Sequence, residues 1–440
     1  MRKVIFALLI CMVAMPSFAQ ENQEKKTNEE VKTGWTVGVL PALGYDSNLG
    51  FLYGAIVNSF DFGDGSRYPD FNHNLYLQLS AYTKGSMDAI AYFDSYTLIP
   101  NKHFIGRLSF NRNRTYPFYG FNGTQTVYNA DFENINATDD FISQVFYKYD
   151  RKLAKADFLL EDRIADSKFK WIAGFDLGWY DVATVDIDHL NKGRDDDELI
   201  PDVPILYDQL VSWGIISADE KDGGFDNSVK FGLVFDTRDR LTNPMKGVWT
   251  ELLFRASPKF IGNNDNYGRV SLIHRQYLTL VKEKLSFAYR LWYEGNLGNV
   301  PFYARQHLTT SNYYEGFGGA QTVRGVLMNR VVGQHTAIGN FELRWKAYRF
   351  HAIGQNFYLG FNLFADAGKV LKGYDMDLTN VPVAQRNQLF SNSYKDLYTT
   401  FGAGLKIVMN ENFVVSADYG VAMDKNYGSS GLYVLVGYLF

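Results

Sequence analysis

Asn340-Phe341-Glu342-Leu343-Arg344-Trp345-Lys346-Ala347 alternates between polar and apolar side chains without a break. A period of two marks a strand with two unlike faces. Here one face is Phe341, Leu343, Trp345 and Ala347, and the other is Asn340, Glu342, Arg344 and Lys346. A dry sandwich core rarely tolerates such a charged face. A strand standing between lipid and a polar lumen gives each face a suitable surrounding.

The pattern recurs along the chain. Phe361, Leu363 and Ala365 alternate with Gly360, Asn362 and Asp366. Val229, Phe231 and Leu233 alternate with Lys230, Gly232 and Asp236, and Val415, Ala417 and Tyr419 with Ser416, Asp418 and Gly420. Sixteen strands are expected, near 35–45, 48–60, 73–84, 86–99, 102–114, 142–164, 167–186, 227–239, 246–257, 266–281, 283–297, 335–349, 355–369, 397–409, 412–424 and 430–440. Long connections at 115–141, 187–226, 298–334 and 370–396 interleave with short turns. With both ends in the periplasm the long ones all face outward, as outer-membrane barrels require. The 61–72 connection is the exception, being long for the periplasmic side. The fold class is therefore all-β: a transmembrane antiparallel barrel of about sixteen strands.

The chain has 30 Tyr, 34 Phe and 7 Trp in 440 residues, a mixture suited to aromatic girdles. Residues 1–19 read as a signal peptide for a Gram-negative outer-membrane protein. Arg2 and Lys3 precede an apolar stretch, and Ser17 and Ala19 supply the small residues before cleavage. Cleavage would remove Cys11, the only cysteine, and move the formal net charge from −4 to −6 by taking away two cations. That balance offers no basic footprint for nucleic acid. Residues 20–34 form a short polar periplasmic segment, too short for a domain, and 35–440 form the barrel.

Between two strands lies Glu315-Gly316-Phe317-Gly318-Gly319-Ala320-Gln321-Thr322-Val323-Arg324-Gly325. A connection this long within a compact domain should have a task. Gly318-Gly319 with Val323-Arg324-Gly325 is similar to the Val-Arg-Gly-aromatic loop tip of the BamA/TamA-type assembly and translocation barrels, the bacterial surface antigen family, with Val326 in place of the aromatic. Phe364-Ala365-Asp366-Ala367-Gly368 resembles that family's Phe-x-Asp-x-Gly strand motif. Asp236-Thr237-Arg238-Asp239 with Asn243-Pro244 and Gly247 resembles its turn segment. The resemblance covers 35–440.

The resemblance implies that the long loop folds into the lumen, where Arg324, followed by Gly325, bonds Glu342 and Asp366 near Gly368. Adjacent strands bring two carboxylates within reach of one guanidinium, whose planar fork pairs bidentately. A solvated surface arginine is the plain alternative. Arg344 is a competing partner for the acids, and Arg330 is a rival anchor.

The resemblance also suggests a seam or lateral gate between the first and last strands, at Gly38, Pro41, Gly437 and Phe440. Proline cannot donate to a ladder and favours an edge or a bulge. A tolerated bulge in a closed barrel is the alternative. Tyr438 and Phe440 resemble the terminal aromatic signal of assembly clients.

The family implies non-enzymatic insertion or export of client proteins. Expected partners are outer-membrane lipid or lipopolysaccharide, client outer-membrane or secreted proteins, and a separate periplasmic or lipoprotein partner. That last partner would stand in for the POTRA modules that such members normally carry and that this sequence does not show. A passive channel or structural surface barrel is the alternative function. No cofactor or metal is expected: the acidic run Asp195–Glu198 lacks calcium-loop spacing, the histidines lack metal spacing, and no nucleophile elbow or phosphate loop occurs.

Overall fold

In the computed structural model the alternating faces separate as in a membrane protein, apolar outward and charged inward. Phe341, Leu343 and Trp345 are 38%, 37% and 50% exposed, whereas Asn340, Glu342 and Arg344 are 0%, 1% and 3% exposed. The structure describes residues 30–121, 125–137, 139–310, 313–314, 316–391 and 397–440. The expected signal peptide, and the polar segment up to residue 29, lie outside them.

The wall is one antiparallel sheet in which each strand pairs with its neighbour in sequence. The strands are β1 (Trp35–Pro41, resuming at Gly44–Asp46), β2 (Gly50–Asp61), β3 (His73–Tyr82), β4 (Met87–Ile99), β5 (Lys102–Pro117) and β6 (Lys148–Arg163). They continue with β7 (Phe169–Ala183), β8 (Ser228–Asp236, preceded by Gly223–Phe225), β9 (Gly247–Ser257), β10 (Tyr267–Val281) and β11 (Leu285–Gly298). The last five are β12 (His335–Ala352), β13 (Gln355–Lys372), β14 (Tyr398–Met409), β15 (Phe413–Ala422) and β16 (Ser430–Val436). No helix among the described residues is long and apolar enough to cross a membrane.

Two expected boundaries shift by more than three residues. The sixth strand, expected from 142, begins at Lys148, because Val145, Phe146 and Tyr147 are consecutively buried rather than alternating. They belong to an aromatic dome in which residues from the long loops, including Phe118, Phe132, Leu206 and Phe302, cover the outer mouth. Short helices lie within those loops: α1 (Ile187–Asn191), α2 (Leu206–Ser212) and α3 (Val383–Leu389). The last strand, expected to reach 440, stops at Val436, and the chain turns inward at Gly437 (φ 110°).

The 62–72 connection folds over the short-turn mouth. Phe62 and Phe71 pack with Phe60 and Phe413. Asp70 accepts from Leu241 N at 3.1 Å, and Asn412 Nδ2 donates to Pro69 O at 2.5 Å. Its length, unusual for that side, thus serves as a cover.

Candidate functional site

The β11–β12 connection enters the lumen and ends in a tip formed by Val323, Arg324 and Gly325. Thr322 braces the approach: its hydroxyl accepts from Gly318 N at 2.8 Å and donates to Gly316 O at 3.1 Å. Arg324 is fully buried. Its Nε and Nη2 fork onto Asp366 Oδ2 and Oδ1, both at 2.9 Å, and its backbone N–H donates to Oδ2 at 3.1 Å. Nη1 lies 2.8 Å from Glu342 Oε1 and 3.0 Å from Asp418 Oδ2. The guanidinium also covers the Phe364 ring, 3.4 Å from its centroid. Burial disfavours the charge on Arg324, but Asp366, Glu342 and Asp418 outweigh it and raise its pKa.

The charges balance locally. Arg344 Nε donates to Glu342 Oε2 at 2.8 Å, and Lys406 Nζ to Asp418 Oδ1 at 2.6 Å. Three cations, Arg324, Arg344 and Lys406, therefore meet three carboxylates. Arg344 shares Glu342 with Arg324 rather than replacing it. Arg330 points away to the dome, donating to Thr126 O at 2.9 Å and lying over Tyr427.

The Phe-x-Asp-x-Gly segment has a physical division of labour. Phe364, Asp366 and Gly368 share the inward face of β13: the first stacks on the guanidinium and the second forks with it. Gly368 makes room, since a Cβ there would sit 2.1 Å from the Phe317 ring. Gly404 acts similarly on β14, where a Cβ would clash with the Asp418 carboxylate that reaches across it. Gly325 takes φ 103°, and its N–H donates to Tyr433 OH at 2.9 Å, so the tip touches the last strand. Sequence reading did not assign Asp418, Phe364, Phe317 or Tyr433 to the cluster. The signal for Asp418 was its place on the polar face of β15.

At the seam, among the described residues, β1 pairs only with β2, and β16 only with β15. Among the described residues the first and last strands share no ladder. Pro41 ends the first part of β1. Gly38 leaves space for Phe413, whose ring would lie 2.4 Å from a Cβ there. Phe440, expected at the seam, instead lies in the lumen. Its main-chain O accepts from Arg344 Nη2 at 3.0 Å, and its ring sits under Arg344 and Arg290 at 4.6 and 5.3 Å. Tyr438 OH follows it inward, within 3.0 Å of Asn243 Nδ2 and 2.9 Å of Tyr358 OH.

An Omp85 superfamily domain model matches residues 72–440. The chain belongs to the Omp85 superfamily. The superfamily comprises outer-membrane β-barrels of protein assembly and translocation. Among solved structures, this Omp85 barrel is similar to BamA from Haemophilus ducreyi lacking POTRA domains 1–3, with a TM-score of 0.50 at 14% identity, covering 92% of this chain and 70% of that one. It is also similar to CdiB from Escherichia coli, with a TM-score of 0.50 at 11% identity, covering 91% of this chain and 61% of that one. At these identities the likeness is one of fold. No curated protein matches the sequence.

Proposed function

We propose that this Omp85 barrel assists the insertion or export of client proteins without catalysing a covalent reaction. The observation that carries this reading is the unpaired edge on each side of the seam. A free edge presents a row of N–H and C=O groups that a client strand satisfies by β-augmentation. Inside lipid no other partner exists for those groups, so the drive to pair is strong. The Arg324 tip braces the lumen side, tied to β12, β13 and β15 through carboxylates and to β16 through Tyr433.

Loop and terminal residues occupying the lumen speak against a passive channel. So does the dome over the outer mouth. The client, a lipopolysaccharide contact and a separate periplasmic or lipoprotein partner belong to the same proposal. Depleting the protein and quantifying the outer-membrane proteome tests it. Broad loss of barrels fits a general assembly factor, and loss of one protein fits a dedicated exporter. An unchanged proteome would refute client handling.

A further inference from the structure

A cleft of about 580 Å³ opens at the short-turn end, walled by the connections after β2, β4, β6 and β8. Its four carboxylates are already engaged. Asp70 accepts from Leu241 N, Glu161 pairs with Lys170 at 2.8 Å, Asp162 with Lys102 at 2.5 Å, and Asp236 with the Arg238 fork at 3.0 Å. Three cations on the same walls, Arg67, Arg163 and Lys168, have no carboxylate partner among the described residues. Arg163 and Lys168 are exposed. Arg67 lies 5.1 Å over the Tyr96 ring, which stacks on His103 at 3.9 Å. In a chain with a formal net charge of −4, this is a local excess of positive charge.

We propose that this cleft docks an acidic, extended segment of a soluble periplasmic protein. The charge requires an anion, and the engaged carboxylates leave the three cations to supply the attraction. The occupant is peptide rather than lipid because Asp236 lies on the face of β8 opposite the exposed Phe231 and Leu233, and Glu161 and Tyr96 join it on that side through Lys170 and His103, away from the bilayer. The volume suits a short stretch of chain, not a folded domain. The proposal rests on the barrel's orientation and not on client handling, so either can fail alone.

Fluorescein-labelled octaglutamate titrated against the detergent-solubilised full chain, followed by anisotropy, tests it. Binding should saturate and weaken steeply with salt, while octaglutamine should not bind. Arg67→Gln/Arg163→Gln/Lys168→Gln should weaken binding about tenfold or more while the barrel stays resistant to unfolding in cold detergent. Lys221→Gln/Lys259→Gln/Lys425→Gln, remote from the cleft, should leave it unchanged. If the triple variant fails to fold, Arg163→Gln and Lys168→Gln separately should each weaken binding about twofold. Equal octaglutamate binding by wild type and cleft variants would overturn the proposal. So would a cleft variant that loses phosphatidylglycerol-vesicle binding but keeps peptide binding.

Discussion

Replacing Arg324 with alanine removes one of three cations facing three carboxylates whose side chains are at most 3% exposed. The two Asp366 fork bonds and the contacts to Glu342 and Asp418 vanish together; only the backbone bond to Asp366 remains. Removing one partner from a buried ion cluster costs about 3–5 kcal/mol. Loss of the Phe364 stack adds ~1 kcal/mol, and water entering the vacated space returns part of the total. A net cost of about 3–4 kcal/mol follows, or a rise of roughly 150- to 1000-fold in the opening equilibrium of the tip. The wall keeps its ladders, so the effect should concentrate in the loop. Hydrogen exchange and limited proteolysis across 316–334 are the assays. Arg324→Lys should recover about half the protection, because an ammonium cannot fork. Asp366→Asn should be milder than Arg324→Ala, since the amide oxygen can still accept from the guanidinium and Glu342 and Asp418 still face it. Wild-type protection in Arg324→Ala would refute the anchoring reasoning.

Gly368→Ala should push Phe317 from its seat and cost about 1–3 kcal/mol by overpacking. A lowered thermal midpoint, partly restored by adding Phe317→Ala, would show this. Glu411, in the turn after β14, pairs with Lys346 at 2.8 Å, Arg349 at 3.1 Å and Arg240 at 3.2 Å. Burial raises its pKa, but Lys346 and the two arginines outweigh that and hold it below the usual range. Its stabilisation is therefore complete above its unfolded pKa of about 4.3 and is lost as pH falls through the lower folded value. Protection factors at 237–246 should fall in acid, and Glu411→Gln should show the lower protection already at neutral pH with no further acid step. Epitope tags at Asp196 or within 376–390 should be reached by antibody on intact cells, whereas one between Lys282 and Lys284 should need permeabilised cells. The reverse pattern would invert the orientation.

The barrel was legible because lumen and lipid impose a two-residue period, and Glu342 and Arg344 carry charge on the face that lipid excludes. Boundaries failed where another rule governed. Val145–Tyr147 is apolar like a strand, but its side chains pack in the dome, which depends on loops distant in sequence. Tyr438 and Phe440 alternate as a strand end would. Yet Gly437 permits a turn, and Arg344 and Arg290 offer donors and cation–π contacts in the lumen. Within the candidate cluster, the residue types around Arg324 were readable. Asp418 was not assigned to it, because its reach depends on an empty position in the intervening strand, Gly404.

The seam is tested most directly by placing a photo-reactive phenylalanine at Val37 in β1 or Val434 in β16 and illuminating growing cells. Both sites are outward-facing and about half exposed, as is Leu272 on β10, which serves as the control. If client strands pair with the free edges, Val37 and Val434 should give adducts to newly made outer-membrane or exported proteins, and Leu272 should not. Adducts confined to the opposite edge of the same barrel, or equally frequent at Leu272, would contradict insertion through the seam.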